Sequence, residues 1–228
     1  MRAYWGMPVD VVLFDLDGTL IDSGAGIARA AARALAEFGR PPLTDGQLRA
    51  FVGPPLPDSF LGIGIPADEL GAVVAAYRRH YLADGIFDFQ VYPGVTALLD
   101  ALGARGLRLG VATSKRTSSA VRVLDHAGLD AHFAVVAGSE PDGSRPTKAD
   151  VMWGALAGLG VTDTSRVLMV GDREHDVQGA RALSTDFIGV AWGFGGGGEL
   201  SGAGATRIAA TPAVLADLIL ETAVEPST

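Results

Sequence analysis

The sequence predicts an α/β fold built on a doubly wound parallel sheet, and two observations lead to this prediction. Short apolar runs of strand length alternate with segments whose apolar residues recur at helical spacing. This alternation is typical of parallel sheets that carry helices on both faces. The chain has 228 residues, 48% of them hydrophobic, which is enough to form a substantial core.

Five apolar runs are predicted to be buried strands, because both faces of a parallel sheet are covered. They are Val11–Phe14, Leu107–Ala112, Phe133–Ala137, Val167–Val170 and Phe187–Ala191. Four helices are expected between the later runs: Val95–Ala104, Ser118–Ala127, Ala149–Leu159 and Val177–Leu183. Gly106, Gly128 and Gly160 follow three of these helices, where a glycine commonly ends a helix. Thr211 and Pro212 are expected to start a last helix.

One long interval interrupts the alternation, between the first strand and the second. It holds two segments with apolar residues at helical spacing, Ile27–Phe38 and Leu70–Tyr81. We therefore predict that residues 22–91 form an inserted helical domain and that residues 1–21 and 92–228 form the core. The tract Gly195–Gly198 is not followed by the Gly-Lys-Ser/Thr of a phosphate-binding loop, so we expect a flexible loop there, before Glu199.

The composition excludes several classes of protein. The absence of cysteine rules out disulfides, thiolate metal sites and cysteine nucleophiles. The formal net charge of −8 argues against binding to a nucleic acid polymer, which requires a basic face. No apolar run reaches the roughly 18 residues of a membrane span, and the first ten residues do not resemble a signal peptide. We expect a cytoplasmic protein without a membrane partner, and no pattern indicates an oligomeric state.

Polar residues gather where the predicted strands end. They are Asp15, Asp17, Gly18 and Thr19 after the first strand, Thr113, Ser114 and Lys115 after the second, Asp172 and Asp176 after the fourth, and Lys148 at the start of the helix before the fourth. Each group taken alone is explained equally well as turn residues, helix caps or solvated surface. Taken together they predict one crevice, because ligands bind at the carboxyl ends of the strands in open α/β sheets. Only two of the 18 basic residues are lysines, Lys115 and Lys148, and both belong to this group.

The chemistry of these residues suits a phosphate and a hard cation. Several carboxylates in one crevice would repel a phosphate dianion, since like charges 4 Å apart cost about 4 kcal/mol at a partly buried site. A Mg²⁺ ion with oxygen ligands removes this penalty. Lys148 and the hydroxyl of Thr113 are suited to hold the remaining phosphate oxygens.

The motifs resemble those of the haloacid dehalogenase superfamily of phosphohydrolases. Residues 14–20, Phe-Asp-Leu-Asp-Gly-Thr-Leu, are similar to its first motif, Thr113 to its second, Lys148 to its third, and Gly171-Asp172 with Asp176 to its fourth. The resemblance implies a core of this superfamily's fold with a helical type 1 cap inserted after the first motif. It also implies a Mg²⁺-dependent phosphatase that acts on a small phosphate monoester.

The resemblance assigns a role to each motif residue. Asp15 would be the nucleophile and a Mg²⁺ ligand, and Asp17 would bind Mg²⁺ through its carbonyl and act as general acid and base. Thr113 and Lys148 would hold the phosphoryl group, with Gly18, Thr19 and Ser114 beside it. Asp172 would complete the metal site, and it stays open whether Asp176 is a ligand or only supports one. Ser184-Thr185-Asp186 stands where the family usually has a glycine-containing turn.

Other segments point to a branch that is phosphoglycolate phosphatase-like or 5′-nucleotidase-like. These segments are 51–56, Phe-Val-Gly-Pro-Pro-Leu, then 142–145, Asp-Gly-Ser-Arg, 171–173, Gly-Asp-Arg, and 193–195, Gly-Phe-Gly. A 5′-nucleotide is the favoured substrate, with Phe51 as an aromatic contact, and phosphoglycolate is the second choice.

Several alternatives remain. A sugar-phosphate phosphatase or a phosphoglucomutase-type transfer is possible within the superfamily, although the mutases usually carry a histidine after the first motif and this chain has none there. Dehalogenases lack the second acid, here Asp17, and phosphonate hydrolases use a cap lysine, which residues 22–91 do not contain. Outside the superfamily, a non-catalytic phosphoacceptor or ligand-binding module is the competing class.

Overall fold

The computed structural model describes residues 9–222, so most of the segment assessed for a signal peptide lies outside the described residues. The described strands are β1 Val11–Phe14, β2 Ile21–Asp22, β3 Gln90–Val91, β4 Arg108–Arg116, β5 Val135–Ser139, β6 Val167–Gly171, β7 Asp186–Val190 and β8 Ile208–Ala209. The described α-helices are α1 Gly24–Glu37, α2 Asp45–Phe51, α3 Leu56–Gly62, α4 Leu70–His80, α5 Val95–Ala104, α6 Thr117–Ala127, α7 Lys148–Gly158, α8 Glu174–Ala182, α9 Gly196–Gly202 and α10 Pro212–Thr222. Within residues 9–222, no helix combines the length and apolar character that a bilayer crossing requires.

Six of the strands form one parallel sheet in the order β5-β4-β1-β6-β7-β8, which confirms the predicted fold class. β1 lies at its centre, with Phe14 level with Val111 of β4 and Val170 of β6. Val12 and Phe14 belong to one hydrophobic cluster, while Val11 and Leu13 belong to a second cluster on the opposite face. Because alternate residues of a strand point to opposite faces, a strand covered on both sides has to be apolar throughout.

Helices cover both faces of this sheet. Leu99 of α5, Val123 of α6 and Leu215 of α10 belong to the first cluster. Met152 of α7 and Ala180 of α8 belong to the second. The observed bounds of the helices follow the predicted ones within a few residues, and Gly106, Gly128 and Gly160 all adopt the positive φ expected after a helix end.

The segment between β2 and β3 contains α1 to α4 and a π-helical turn, Tyr81–Gly85, that continues α4. β2 and β3 pair in antiparallel fashion, with Asp22 opposite Gln90, so the segment leaves and rejoins the rest of the chain at neighbouring positions. α2 and α3 were not predicted from the sequence. Thr44 and Gln47, which form a capping box at the start of α2, were a signal for the first of them. The division at residues 22 and 91 stays a prediction, and these helices are called the cap below.

Three local features differ from the sequence predictions. β4 continues to Arg116, beyond Ala112, because its polar end stays extended across a register irregularity. The prediction of a flexible loop at Gly195–Gly198 is wrong, since α9 begins at Gly196. Glu199 anchors this helix by accepting hydrogen bonds from the Arg173 side chain and from the backbone N–H of Glu174 at the start of α8. Ser184, at the turn that the family builds with glycine, takes a φ of 54°, so the turn forms without one.

Candidate active site

The sheet brings the predicted site residues to one edge. β1 lies between β4 and β6, so the residues that follow β1 and β6 and the polar end of β4 lie side by side. Asp15 is held at the end of β1 by its backbone N–H, which donates to the carbonyl of Val170 at 2.9 Å. Thr113 and Asp172 are almost fully buried beside it, at 1% and 0% exposure.

Asp15, Asp172 and Asp176 form a buried acidic cluster. Each offers a carboxylate oxygen that lies within 4.8 Å of the others. Lys148, the first residue of α7, compensates part of this charge, because its Nζ lies 2.7 Å from Asp15 Oδ1 and 2.7 Å from Asp176 Oδ1. The third sequence motif therefore meets the first and the fourth through direct ion pairs.

The protonation of this cluster reflects its burial. Burial raises the pKa of Asp15 to about 6, although the ammonium of Lys148 opposes the shift. Burial, followed by the charge of Asp15, raises the pKa of Asp172 well above its usual value. Burial alone would lower the pKa of Lys148, but the carboxylates of Asp15 and Asp176 outweigh it and the pKa is raised. Unpaired negative charge inside the site is thus costly.

Asp172 is fixed by contacts from two loops. Its Oδ2 accepts a hydrogen bond from the backbone N–H of Phe194 at 2.7 Å, and its Oδ1 lies 3.4 Å from the donating hydroxyl of Thr19. Gly18 has a φ of 87° and packs so closely on Asp172 that an added Cβ would overlap the carboxylate. Glycine at position 18 is therefore required by both backbone conformation and space.

Asp17 has a partner for each of its carboxylate oxygens. The hydroxyl of Ser23 donates to Oδ1 at 2.6 Å, and Lys115 Nζ lies 3.0 Å from Oδ2. Lys115 Nζ also donates to the hydroxyl of Tyr81 in the cap at 2.7 Å. This ammonium thus connects the proposed acid–base residue to the cap.

Lys115 is a site residue that the role assignments missed. Its burial alone would lower its pKa, but the charge of Asp17 outweighs that effect and raises it. The available signal was the scarcity of lysine, which marked Lys115 together with Lys148. The second family motif was matched by Thr113 alone, so the motifs gave Lys115 no role.

Some of the residues predicted to bind phosphate line a cavity of about 520 Å³ together with residues of the cap. Thr113, Ser114 and Lys115 lie on its core side, and Phe51 and Tyr81 on its cap side. Phe51 is 3% exposed and packs edge-on against Phe60, with ring centroids 4.9 Å apart. Its ring is therefore part of the cap core as well as the cavity wall, and its contact with substrate stays a prediction.

Arg173 connects the core to the cap from the other side. Its guanidinium donates to the backbone carbonyl of Arg49 at 2.9 Å and to that of Val52, and its Nε donates to Glu199 at 2.8 Å. Gly53, with a φ of 113°, lies against this side chain. The loop before α3 is thereby hydrogen-bonded to the loop before α8.

The acidic cluster fits a hard divalent cation. Asp15, Asp172 and Asp176 supply only carboxylate oxygens, which are the ligands that Mg²⁺ prefers. Both oxygens of Asp176 already have partners, since Oδ1 pairs with Lys148 and Oδ2 accepts from the backbone N–H of Arg173 at 3.1 Å. This arrangement favours a supporting role for Asp176 over direct ligation.

Comparison with known proteins agrees with this geometry. The family model described as "Haloacid dehalogenase-like hydrolase" matches residues 12–190. The chain is 37% identical over 209 residues to a 5′-nucleotidase of Pseudomonas aeruginosa, covering 91% of this chain and 94% of that one. A crystal structure of a predicted phosphatase from Clostridium acetobutylicum superposes with a TM-score of 0.89 at 39% identity, covering 94% of this chain and 99% of the other.

A further relative carries a different name. The chain is 43% identical over 193 residues to the tyrosine-protein kinase PtkA of Mycobacterium tuberculosis, covering 83% of this chain. It spans only 65% of the length of that kinase. The family match and the relatives together show that the chain belongs to the haloacid dehalogenase-like hydrolases.

Proposed function

We propose that the chain is a Mg²⁺-dependent phosphatase that hydrolyses a small phosphate monoester through a phospho-aspartate at Asp15. The observation that carries the proposal is the pairing of Asp15 with Lys148 at 2.7 Å inside a cluster of three buried carboxylates. This cluster has more negative charge than Lys148 balances, so a phosphate dianion requires a further cation to enter. Bound through Asp15, Asp172 and the carbonyl of Asp17, Mg²⁺ would supply that charge compensation.

The first half of the reaction uses Asp15 and Asp17. A carboxylate oxygen of Asp15 attacks phosphorus, the bond between phosphorus and the leaving oxygen breaks, and the Asp17 carboxyl gives its proton to that oxygen. Ser23 and Lys115 hold the Asp17 carboxyl in place during this transfer. Lys148 and Thr113 hold the phosphoryl oxygens.

The second half restores the enzyme. The Asp17 carboxylate takes a proton from water, the water oxygen attacks phosphorus, and the bond to Asp15 breaks to release inorganic phosphate. Asp17 is then protonated again and Asp15 is ionised. The same pair of residues thus serves both half-reactions.

The proposed substrate is a 5′-nucleotide, with phosphoglycolate as the second choice. The cavity of about 520 Å³ has the size of a site for a ligand larger than a bare phosphate. The stacked rings of Tyr77 and Tyr81, 5.7 Å apart, lie on its cap side. The 5′-nucleotidase relative, which this chain matches over nearly its full length, supports the first choice.

Metal dependence is tested with p-nitrophenyl phosphate, whose leaving group requires no specific contact with the cap. We expect EDTA to abolish turnover and added Mg²⁺ to restore it, because the acidic cluster repels the phosphate otherwise. Ca²⁺ serves as the matched control ion, since it has the same charge but prefers more ligands at longer distances. Full activity after thorough chelation would contradict the proposal.

A further inference from the structure

Four basic side chains line the cavity between the sheet edge and the cap. Lys115 and Arg116 come from the end of β4, Arg78 from the last turn of α4, and Arg145 from the loop before α7. A protein with a net charge of −8 thus has a basic wall at this cavity. A local basic pocket on an acidic protein attracts a small anionic ligand.

Two of these four cations have acidic partners. Lys115 pairs with Asp17 at 3.0 Å, and Arg145 pairs with Glu140 at 3.2 Å. Their charges are therefore already compensated within the protein. The other two cations, Arg78 and Arg116, differ from them in this respect.

Arg78 and Arg116 have no such partner. Within residues 9–222, neither makes an ion pair or a side-chain hydrogen bond, and the Nε of Arg116 is enclosed without a partner. Of the acids that line the cavity, Asp15, Asp17 and Glu140 are already paired, and Asp58 is exposed. Two half-buried guanidinium groups are thus left for a ligand.

The two arginines line the same cavity, so their like charges repel each other. Burial lowers the pKa of Arg78, and the charge of Arg116 lowers it further. A pair of like charges in a partly buried wall is unfavourable unless an anion lies between them. Since one arginine comes from the cap and the other from the core, such an anion would bridge the two.

The position of Arg116 relates this pair to the reacting phosphate. Arg116 follows Thr113 by three residues on the same strand, a span of at most about 11 Å. A second anionic group on the same small molecule reaches across such a span. A separate, distant ligand is not needed.

We propose that Arg78 and Arg116 form a subsite for a second anionic group, a carboxylate or a second phosphate, on the leaving group of the phosphate monoester. This inference rests on the proposed phosphatase function and narrows its substrate class. A nucleoside monophosphate has a neutral leaving group, so the subsite favours phosphoglycolate, or a nucleotide with a second phosphate, over it. Guanidinium groups bind both kinds of oxyanion with paired, charge-assisted hydrogen bonds. Neutral leaving groups of the same size would leave the two arginines uncompensated.

Matched substrates test this subsite. One pair is 2-phosphoglycolate and ethyl phosphate, which differ by a carboxylate, and the other is adenosine 3′,5′-bisphosphate and adenosine 5′-monophosphate, which differ by a phosphate. We expect the doubly anionic member to have a kcat/KM about 10- to 100-fold higher in at least one pair, as is usual for hydrogen bonds to charged groups. The pair that shows the preference identifies the anion as carboxylate or phosphate.

Variants assign the preference to the two arginines. In Arg78→Gln and Arg116→Gln the ratio of the two kcat/KM values should fall towards one. Arg79→Gln is the matched control, because Arg79 neighbours Arg78 on α4 but pairs with Glu37 at the surface. It should keep the wild-type ratio.

Two further readouts separate this inference from the proposed function. Turnover of p-nitrophenyl phosphate by the wild type reports the phosphatase alone. Calorimetric titration of Asp15→Asn with the same substrate pairs reports binding without turnover. Activity on p-nitrophenyl phosphate together with ratios near one in kinetics and in binding would overturn the subsite and leave the phosphatase intact. A binding preference without any phosphatase activity would retain the subsite and overturn the proposed function.

Discussion

The charged side chains at the sheet edge and those that line the cavity under the cap differ in whether they are paired inside the protein. At the sheet edge the charged side chains pair with one another, although the acidic cluster keeps more negative charge than Lys148 balances. Lys148 lies between two carboxylates, and Asp17 lies between Lys115 and Ser23. On the cavity wall Arg78 and Arg116 have no acidic partner within residues 9–222. Side chains that are already bonded to each other are preorganised for one reaction. Side chains without a protein partner are available to bind the part of the substrate that varies.

This comparison predicts that loss of the nucleophile at the sheet edge damages every substrate equally. The largest effect is expected for Asp15→Asn, because an amide cannot attack phosphorus. Turnover of p-nitrophenyl phosphate and of a nucleotide should both fall to background, and mass spectrometry should detect no phosphoenzyme. Asp68→Asn, an exposed cap acid, is the control and should behave as wild type. More than trace activity in Asp15→Asn would exclude the covalent mechanism.

Asp17→Asn comes next in size. Loss of general acid–base help typically costs about 10²–10⁴-fold in kcat. The loss should be smaller for p-nitrophenyl phosphate than for an alkyl phosphate, because nitrophenolate leaves without a proton. Asp22→Asn, which changes an exposed acid at the end of β2, should leave kcat within a few-fold of wild type. An equal loss for both leaving groups would argue against proton transfer by Asp17.

Lys148→Arg tests whether the phosphoryl site tolerates a wider cation at this position. Lys148 Nζ contacts two carboxylates at 2.7 Å in a buried position, and a planar guanidinium is too wide to take its place. A misplaced phosphoryl group costs on the order of 10²-fold, so kcat should fall by about that factor. Lys148→Met should lose at least as much. A near wild-type kcat in Lys148→Arg would place Lys148 outside the phosphoryl site.

Arg173→Gln should have the smallest effect and should distinguish substrates. It removes the hydrogen bonds from Arg173 to the carbonyls of Arg49 and Val52, so the cap closes less firmly over the leaving group. We expect kcat/KM for a nucleotide to fall about 10-fold, the scale of one hydrogen bond to a charged group, and to fall less for p-nitrophenyl phosphate. Arg181→Gln, in α8 and bonded to the carbonyl of Ala203 at the surface, is the control. Equal losses on both substrates would show that Arg173 acts on the core alone.

Much of the fold was predictable because its signals are local. The five long strands, the helices between them and the last helix at Pro212 follow from apolar runs, helical spacing and glycine or proline at helix ends. β2, β3 and β8 have two residues each, which is too short for a periodic pattern. The helix at Gly196 was missed because a glycine-rich tract has low helix propensity, and contacts of Glu199 with the loop before α8 stabilise it.

The sequence alone determined the fold class, the family and the residues at the strand ends, because each depends on residue types in a fixed order along the chain. Only the tertiary structure decided which of these residues touch. It placed Lys148 between Asp15 and Asp176 and joined Lys115 to both Asp17 and Tyr81. It also placed Arg78 and Arg116 at the same cavity without acidic partners within residues 9–222. Such pairings join residues from distant parts of the chain, so they arise from the packing of the core elements on each other and of the cap on the core, and they leave no local pattern in the sequence.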